Sequence, residues 1–296
     1  IILAGTSYIA TVSGNSWSTN IPVTDLQVLA EGNQTITANV SDAAGNPAPE
    51  ITRSFSVDII APSLTITDNK PDAPTNGPVT YTFAFTENVQ NFVSGDITVS
   101  GGAKGAFGIT DAKTYTLIVT PNADSTDSIT VTVDSNKYTD MAGNAGDSDK
   151  MASQAVDTEA PSLIITLSDS ALKIGDTSII TFTFSEAVTG FTSEDISAPN
   201  GTISAPTSDD GITWTATFTP HPNTKSSDII ISVTSGYTDV AGNAGQPASS
   251  AAFAIDTIAP SLAIAAPNLG SDDILSVIEA GQPLTISGTS SGVEDG

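Results

Sequence analysis

The sequence predicts an all-β chain of tandem immunoglobulin-like β-sandwiches in an elongated array, and three observations carry that prediction. The phrase Asp42-Ala43-Ala44-Gly45-Asn46 returns as Asp140-Met141-Ala142-Gly143-Asn144 and as Asp239-Val240-Ala241-Gly242-Asn243, 98 and then 99 residues further on. A second phrase, Asp58-Ile59-Ile60-Ala61-Pro62, returns as Asp157-Thr158-Glu159-Ala160-Pro161 and Asp256-Thr257-Ile258-Ala259-Pro260, 99 residues apart each time. A fixed period of this length marks an array of similar domains, each the size of an immunoglobulin-type sandwich. Finally, the candidate elements alternate apolar and polar residues, and helical periodicity is missing.

The period divides the 296 residues into four units. Residues 1–58 are the latter part of one, 59–157 and 158–256 are complete sisters, and 257–296 open a further one. In the second unit Val79, Tyr81, Phe83 and Phe85 point one way and Thr80, Thr82 and Ala84 the other; Ile180, Phe182 and Phe184 repeat the inward face in the third. Tyr115, Leu117 and Val119 match Trp214, Ala216 and Phe218, each run ending at a proline, Pro121 or Pro220. Ile129, Val131 and Val133 match Ile229, Ile231 and Val233 at a spacing of 100, and a one-residue shortening before Tyr237 restores 99 against Tyr138. A shared core predicts that such insertions are confined to turns. The flanking pieces read as another subtype, since Gly14-Asn15-Ser16-Trp17-Ser18 has no counterpart in the middle pair. Both pieces lack strands that close a sandwich. The chain therefore reads as a window cut from a longer array, with pairing edges at its ends and any targeting signal outside it.

Apolar content is ordinary at 39%, enough for cores of this size, and no apolar run is long enough for a membrane span or a signal-peptide core. Cysteine is absent, which suits a chain exported unfolded and equally a cytosolic one. Asp and Glu number 33 against 8 Lys and Arg, a formal charge of −25. That balance excludes nucleic acid as a partner, because no basic patch exists to neutralise phosphates, and it disfavours anionic membrane surfaces. Self-repulsion on this scale opposes compaction. Either divalent cations sit at defined carboxylate clusters, or the surface is generally acidic, as in proteins adapted to high salt.

The phrase Asp-x-Ala-Gly-Asn, followed in the next linker by Val-Asp-x-x-Ala-Pro, resembles the bacterial Ig-like domains of giant non-fimbrial adhesins exported by type I secretion, of which the Salmonella giant adhesin is the best-known type. Phe191, Ile196 and the run Phe184-Ser185-Glu186-Ala187-Val188 resemble one subgroup of them. The resemblance covers essentially the whole chain. It implies seven-stranded sandwiches, a rigid monomeric rod, calcium at or near the junctions, and a place outside the bacterial cell. The role implied is a non-catalytic stalk for adhesion or biofilm, with other parts of the parent protein binding a host cell, an abiotic surface or a glycan. Such modules also decorate secreted enzymes, so a glycan-binding accessory module is the alternative.

Immunoglobulin topology places the acids. The BC and FG loops lie at the pole where the chain comes in. The second unit carries Asp58 in its linker, Glu87 opening the BC loop and Asp140 opening the FG loop; the third carries Asp157, Glu186 and Asp239. Three carboxylates at one pole repel unless a cation sits among them, and hard oxygen donors in this number suit Ca2+. Asp42 opens the same loop of the first unit. Asp256 lies in the linker of the fourth, with Glu294 or Asp295 where its BC loop begins. A plainer reading stands beside this one. The Asp of each phrase forms an Asx-turn in which Gly or Asn takes φ > 0, and Asp before x-x-Ala-Pro ends a strand. Turn chemistry explains the Gly and Asn but not why Glu87 and Glu186 reach the same pole. At the opposite pole the stretch containing Asp272, Asp273 and Glu279 resembles a calcium-binding run of the adhesin repeats. The sister units keep only Asp68 and Asp72, or Asp169 and Asp176, with Lys70 or Lys173 nearby.

Catalysis is not expected. The sole histidine, His221, sits between Pro220 and Pro222, there is no cysteine nucleophile, and acids repeated at each junction suit structure better than a single active site. For glycan binding the candidates are Trp17, Tyr138, Trp214 and Tyr237. Trp214 alternates with core positions, the tyrosines sit where packing or corner residues belong, and an aromatic content of 6% is low for a lectin surface. Trp17 stays open.

Overall fold

The structure is a computed structural model that describes residues 1–70, 73–265, 283 and 285–293. The chain forms two compact units, one of Ile1–Asp72, Gly77–Asn122 and Asp127–Ala155, the other of Ala73–Asn76, Ala123–Thr126 and Val156–Gly296.

In the first unit the strand Val79–Phe85 shows how alternation becomes structure. Val79, Tyr81, Phe83 and Phe85 are buried while the threonines and Ala84 between them are not. The strand sits inside an antiparallel sheet ordered Gly102–Ile109, Thr114–Pro121, Val79–Phe85, Leu64–Asp68. Tyr81 lies opposite Leu117 and Asp68, and Phe83 opposite Tyr115 and Ile66. A three-stranded sheet, Ile97–Ser100, Ile129–Val133 and Lys150–Gln154, supplies Ile97, Ile129, Val131 and Val133 to the buried set. The aromatic rings of Phe85, Phe92, Tyr115 and Tyr138 meet edge to face at one end of this core. Upstream, Thr6–Ser7, Ile2–Leu3, Gly32–Ala38 and Ile51–Val57 form a further sheet in that order, and Thr11–Ser13 pairs with Ser16–Ser18.

The second unit repeats the plan. Its larger sheet runs Leu163–Leu167, Ser178–Phe184, Thr213–Pro220, Gly201–Ile203. Ile196–Ser197, Ser232–Val233 and Ala248–Ser249 form one three-stranded sheet; Ala171–Lys173, Phe253–Asp256 and Lys225–Ile229 form another, whose first pair is parallel. Ile180, Phe182, Phe184, Phe191, Phe218, Ile231, Tyr237 and Phe253 are among the large members of its core. Among the described residues the helical turns are one short α-turn, Val23–Leu26, and three 3-10 turns, Ser94–Asp96, Ser135–Lys137 and Ser193–Asp195. The all-β fold class therefore holds.

The extra residue behind the spacing of 100 does not fall in a turn, as a shared core had suggested. Ser125 and Thr224, 99 apart, make equivalent bonds to Thr158 and Thr257, whereas Ile129 and Ile229 are 100 apart. The insertion therefore lies between them, where the pairing of Lys225–Ile229 with Phe253–Asp256 shifts register between Ser226 and Ile229. A bulge of this kind absorbs one residue without displacing the inward side chains on either side.

The two corner tyrosines offer a test. Tyr237 donates its hydroxyl to the Gln246 carbonyl at 2.7 Å, while the buried Tyr138 hydroxyl finds no partner among the described residues. Tyr237→Phe should cost about 1 kcal/mol in denaturant unfolding, and Tyr138→Phe should be neutral or slightly stabilising. Equal losses would mean that the Tyr138 hydroxyl is hydrogen-bonded after all.

Candidate metal centre

The recurring Asp-x-Ala-Gly-Asn loops are built by their own first residue. Asp140 Oδ1 accepts the backbone N–H groups of Ala142, Gly143 and Asn144 at 2.8, 2.7 and 2.9 Å, and Oδ2 accepts Asn144 Nδ2 at 2.7 Å. Asp239 likewise holds the N–H groups of Gly242 and Asn243 at 2.6 and 2.8 Å and Asn243 Nδ2 at 2.7 Å. Asp42 does the same with Ala44, Asn46 and Asn46 Nδ2. The Asx-turn is thus real in all three copies, with one amendment. Gly45, Gly143 and Gly242 supply the positive φ, at 90°, 99° and 92°, and the asparagines do not. Beneath the loops the Tyr138 and Tyr237 rings press against Gly146 and Gly245, where an added Cβ would collide.

Three sets of bonds then bring separate segments to one place. A short ladder pairs Asp140 with Val89 and Asp239 with Val188, setting Glu87 and Glu186 two residues from the buried aspartates. Thr86 and Ser185, just before the glutamates, exchange bonds with Ser63 and Ser162, just after the linkers. The linker aspartates are reached directly, since Asn144 Nδ2 donates to the Asp58 carbonyl at 3.1 Å and Asn243 Nδ2 to that of Asp157 at 3.0 Å. The result is two groups of three carboxylates, Asp58 with Glu87 and Asp140, and Asp157 with Glu186 and Asp239, whose candidate ligand oxygens lie within 4.8 Å of one another.

The electrostatics differ by member. Burial pushes Asp140 up, but the Asn144 amide and the backbone N–H groups of Asn144, Gly143 and Ala142 outweigh it and hold the carboxyl below its ordinary value. Glu87 is raised by burial and then by the charges of Asp58 and Asp140, with Glu31 adding and Lys113 opposing. Glu186 is raised by burial and by Asp157, Asp239 and Glu159. Each group thus joins a hydrogen-bonded carboxylate to a glutamate under repulsion. Oxygens sharing one Ca2+ at about 2.3–2.6 Å lie at most about 5 Å apart, so these donor sets fit a hard divalent cation. Asp140, with Oδ1 taken by three donors and Oδ2 accepting the Asn144 amide, has the second lone pair of Oδ2 to offer.

The remaining candidates are not gathered in this way. Asp42 closes its own turn and belongs to no group of three among the described residues. Asp256 pairs with Lys225 at 2.6 Å and accepts the Ile258 N–H at 3.2 Å. Asp68, Asp169 and Asp176 accept the backbone N–H groups of Lys70, Ala171 and Lys173. Asp72, Asp272, Asp273, Glu279, Glu294 and Asp295 lie outside the described residues. Of the aromatics, Tyr138 and Tyr237 are buried, and Trp214 packs on Phe191 with its Nε1 donating to the Gly211 carbonyl. Trp17 is 57% exposed and lines a groove of about 610 Å³.

Two contributors escaped the sequence reading. Glu31 accepts the Ile59 N–H at 2.9 Å through Oε2 and so stands beside the first group; it belongs to neither repeated phrase, so no spacing flagged it. Asn144 and Asn243 were visible in the repeated phrase, but their side-chain role was not.

The sequence profile of the bacterial Ig-like domain matches residues 58–156 and 157–255. The chain belongs to that family. Among solved structures it is similar to the Escherichia coli adhesin FdeC at 16% identity, covering 69% of this chain and 66% of that one with a TM-score of 0.31. It is similar to the titin I9-I11 tandem at 11% identity, covering 82% and 78% with a TM-score of 0.29. Invasin, a bacterial integrin-binding protein, is similar at 16% identity, covering 79% and 48% with a TM-score of 0.33. The chain thus spans 66% of the FdeC chain and 48% of the invasin chain. No curated protein sequence matches it significantly.

The raised glutamates fix the sign of a pH effect. The folded chain lifts Glu87 and Glu186 above the ordinary value of 4.5, so there it binds protons more tightly than the unfolded chain. In chelator, stability should rise as pH falls from 7 through the lifted values toward 4.5, and Glu186→Gln should remove the share due to the second group. In saturating divalent cation the sign should reverse, because protons compete with the metal for the same oxygens. Denaturant melts at pH 7, 6 and 5 check this; a glutamate effect of the opposite sign in chelator would contradict it.

Proposed function

We propose that this chain is a stalk segment of a large, repetitive bacterial adhesin of the type I-secreted kind, placed outside the cell and without catalytic activity. In this reading 59–157 and 158–256 are complete spacer domains, with partial ones at 1–58 and 257–296. Ca2+ held at the linkers stiffens a monomeric rod, and the surface, cell or glycan is bound by other parts of the parent protein. The observation that carries the reading is the repetition of the same three-carboxylate group, with the same burial of its third member, at two successive linkers of a tandem bacterial Ig-like array. A binding or catalytic site has no reason to recur with the domain period; a joint does. Two further facts agree: the chain is strongly acidic, and no described helix is long and apolar enough to cross a membrane.

A cation that binds the folded state alone stabilises it by mass action, by about 2.7 kcal/mol per site at a hundred times Kd. Thermal unfolding in chelator and in millimolar Ca2+ should therefore differ, and monovalent salt at equal ionic strength should not reproduce the gain. Asp157→Ala is the informative variant. Among the described residues the Asp157 side chain accepts only the Glu159 N–H, so its loss leaves the loop turn intact and removes one ligand. It should blunt the calcium gain of the domain that follows it. An equal rise with simple salt would assign the acids to general surface charge.

A further inference from the structure

The asparagines of the second and third phrases, Asn144 and Asn243, do more than close their turns. Glycine supplies the left-handed residue, and backbone N–H groups already occupy Oδ1 of the aspartate. What the amide adds is a bridge. Asn144 Nδ2 stands 2.7 Å from Asp140 Oδ2 and 3.1 Å from the Asp58 carbonyl, with Asp58 Oδ1 at 3.5 Å. Asn243 Nδ2 stands 2.7 Å from Asp239 Oδ2 and 3.0 Å from the Asp157 carbonyl. Both bridges span 86 residues. Asn is the shortest side chain carrying two N–H donors on one nitrogen, and a bridge between two oxygen acceptors needs both. An Asp here would set oxygen against oxygen.

The next linker residue is held from another side. Thr158 and Ser125 exchange bonds at 3.0 Å in each direction, N–H to carbonyl and N–H to hydroxyl, and Thr257 and Thr224 do the same at 2.8 and 2.9 Å. In the second unit the dipeptide Asp157-Thr158 is thereby tied to the 123–126 loop and to the loop bearing Asp239 by protein bonds alone.

We propose that Asn144 and Asn243 are positioning residues that latch the linker to the buried aspartate, and so hold each three-carboxylate group assembled before any cation arrives. The consequence for cation affinity rests on the calcium reading above; the latch itself does not. It makes the linker ordered in chelator, with the metal adding to that order rather than creating it.

The test uses the full chain with Asn243→Ala, which deletes the amide, and Asn243→Asp, which keeps its shape and removes both donors. Amide hydrogen exchange in chelator reads the linker, and terbium luminescence titration reads cation affinity. Both variants should lose protection across 156–161 while the core around Phe182 and Phe218 keeps its own. Terbium affinity at that site should fall roughly 10–100-fold, as when outer-shell partners of metal ligands are removed, with the Asp58 site unchanged. Asn144→Ala should give the mirror result. Unchanged linker protection in both variants would overturn the latch, and so would loss of core protection together with the linker. If the unmodified chain binds no terbium, the cation reading fails by itself and the exchange data still decide the latch.

Discussion

Like charge held at close range is the constraint around which the ends of these domains are organised. Three carboxylates whose oxygens lie within 4.8 Å of one another repel when ionised, and a positive charge among them relieves that repulsion. The protein supplies part of the answer. Asp140 and Asp239 are surrounded by N–H donors, so their charge is stabilised by dipoles that the turn must point somewhere in any case. Among the described residues the glutamates have no such ring of N–H donors, and only Glu87 has a nearby opposing charge, that of Lys113. They are the members lifted by burial and by their neighbours, and they are where the fold leaves a demand that a proton or a cation can meet.

The same bonds that create the repulsion also tie the linker to the domain that follows it. Ladder pairing of Asp140 with Val89, the Ser63–Thr86 exchange and the Asn144 bridge recur at the same relative positions as Asp239 with Val188, Ser162–Ser185 and Asn243. Two copies agreeing in side-chain detail, beyond strand order, make the arrangement a property of the repeat. The attachment of each linker to the domain that follows it thus has a covalent part, a hydrogen-bonded part and an electrostatic part.

Much of this was legible in the sequence because period-2 alternation and a 99-residue repeat are strong signals. Val79 to Phe85 and Ile180 to Phe184 turned out as read, and topology alone put Glu87 and Glu186 beside aspartates more than fifty residues away. What escaped was information that no period carries. Lys225 neutralises Asp256, a partner that the second domain does not have, since Thr126 stands 99 residues before Lys225. Glu31 lies outside both matched domain copies, 58–156 and 157–255. The one-residue insertion entered a strand as a bulge because Ser226 and Ser227 are small and Lys225 and Asp228 polar, so no inward side chain had to move. The asparagine bridge was missed because a turn motif already accounted for the residue, and an adequate local explanation hides a long-range one.

The acidity itself acquires a cause that neither metal binding nor adaptation to salt provides. Asp outnumbers Glu 25 to 8, although either of those explanations would be served as well by glutamate. The structure shows what the shorter side chain does. Asp96, Asp111, Asp195 and Asp210 each accept backbone N–H groups within three residues, as Asp68, Asp169 and Asp176 do. A β-sandwich has a turn after nearly every strand, and each turn leaves N–H groups without a ladder partner. Aspartate reaches them at about one bond less than glutamate and pays less rotamer entropy on being fixed. A share of the negative charge is therefore a by-product of closing turns, and at the linkers that by-product is brought into groups of three.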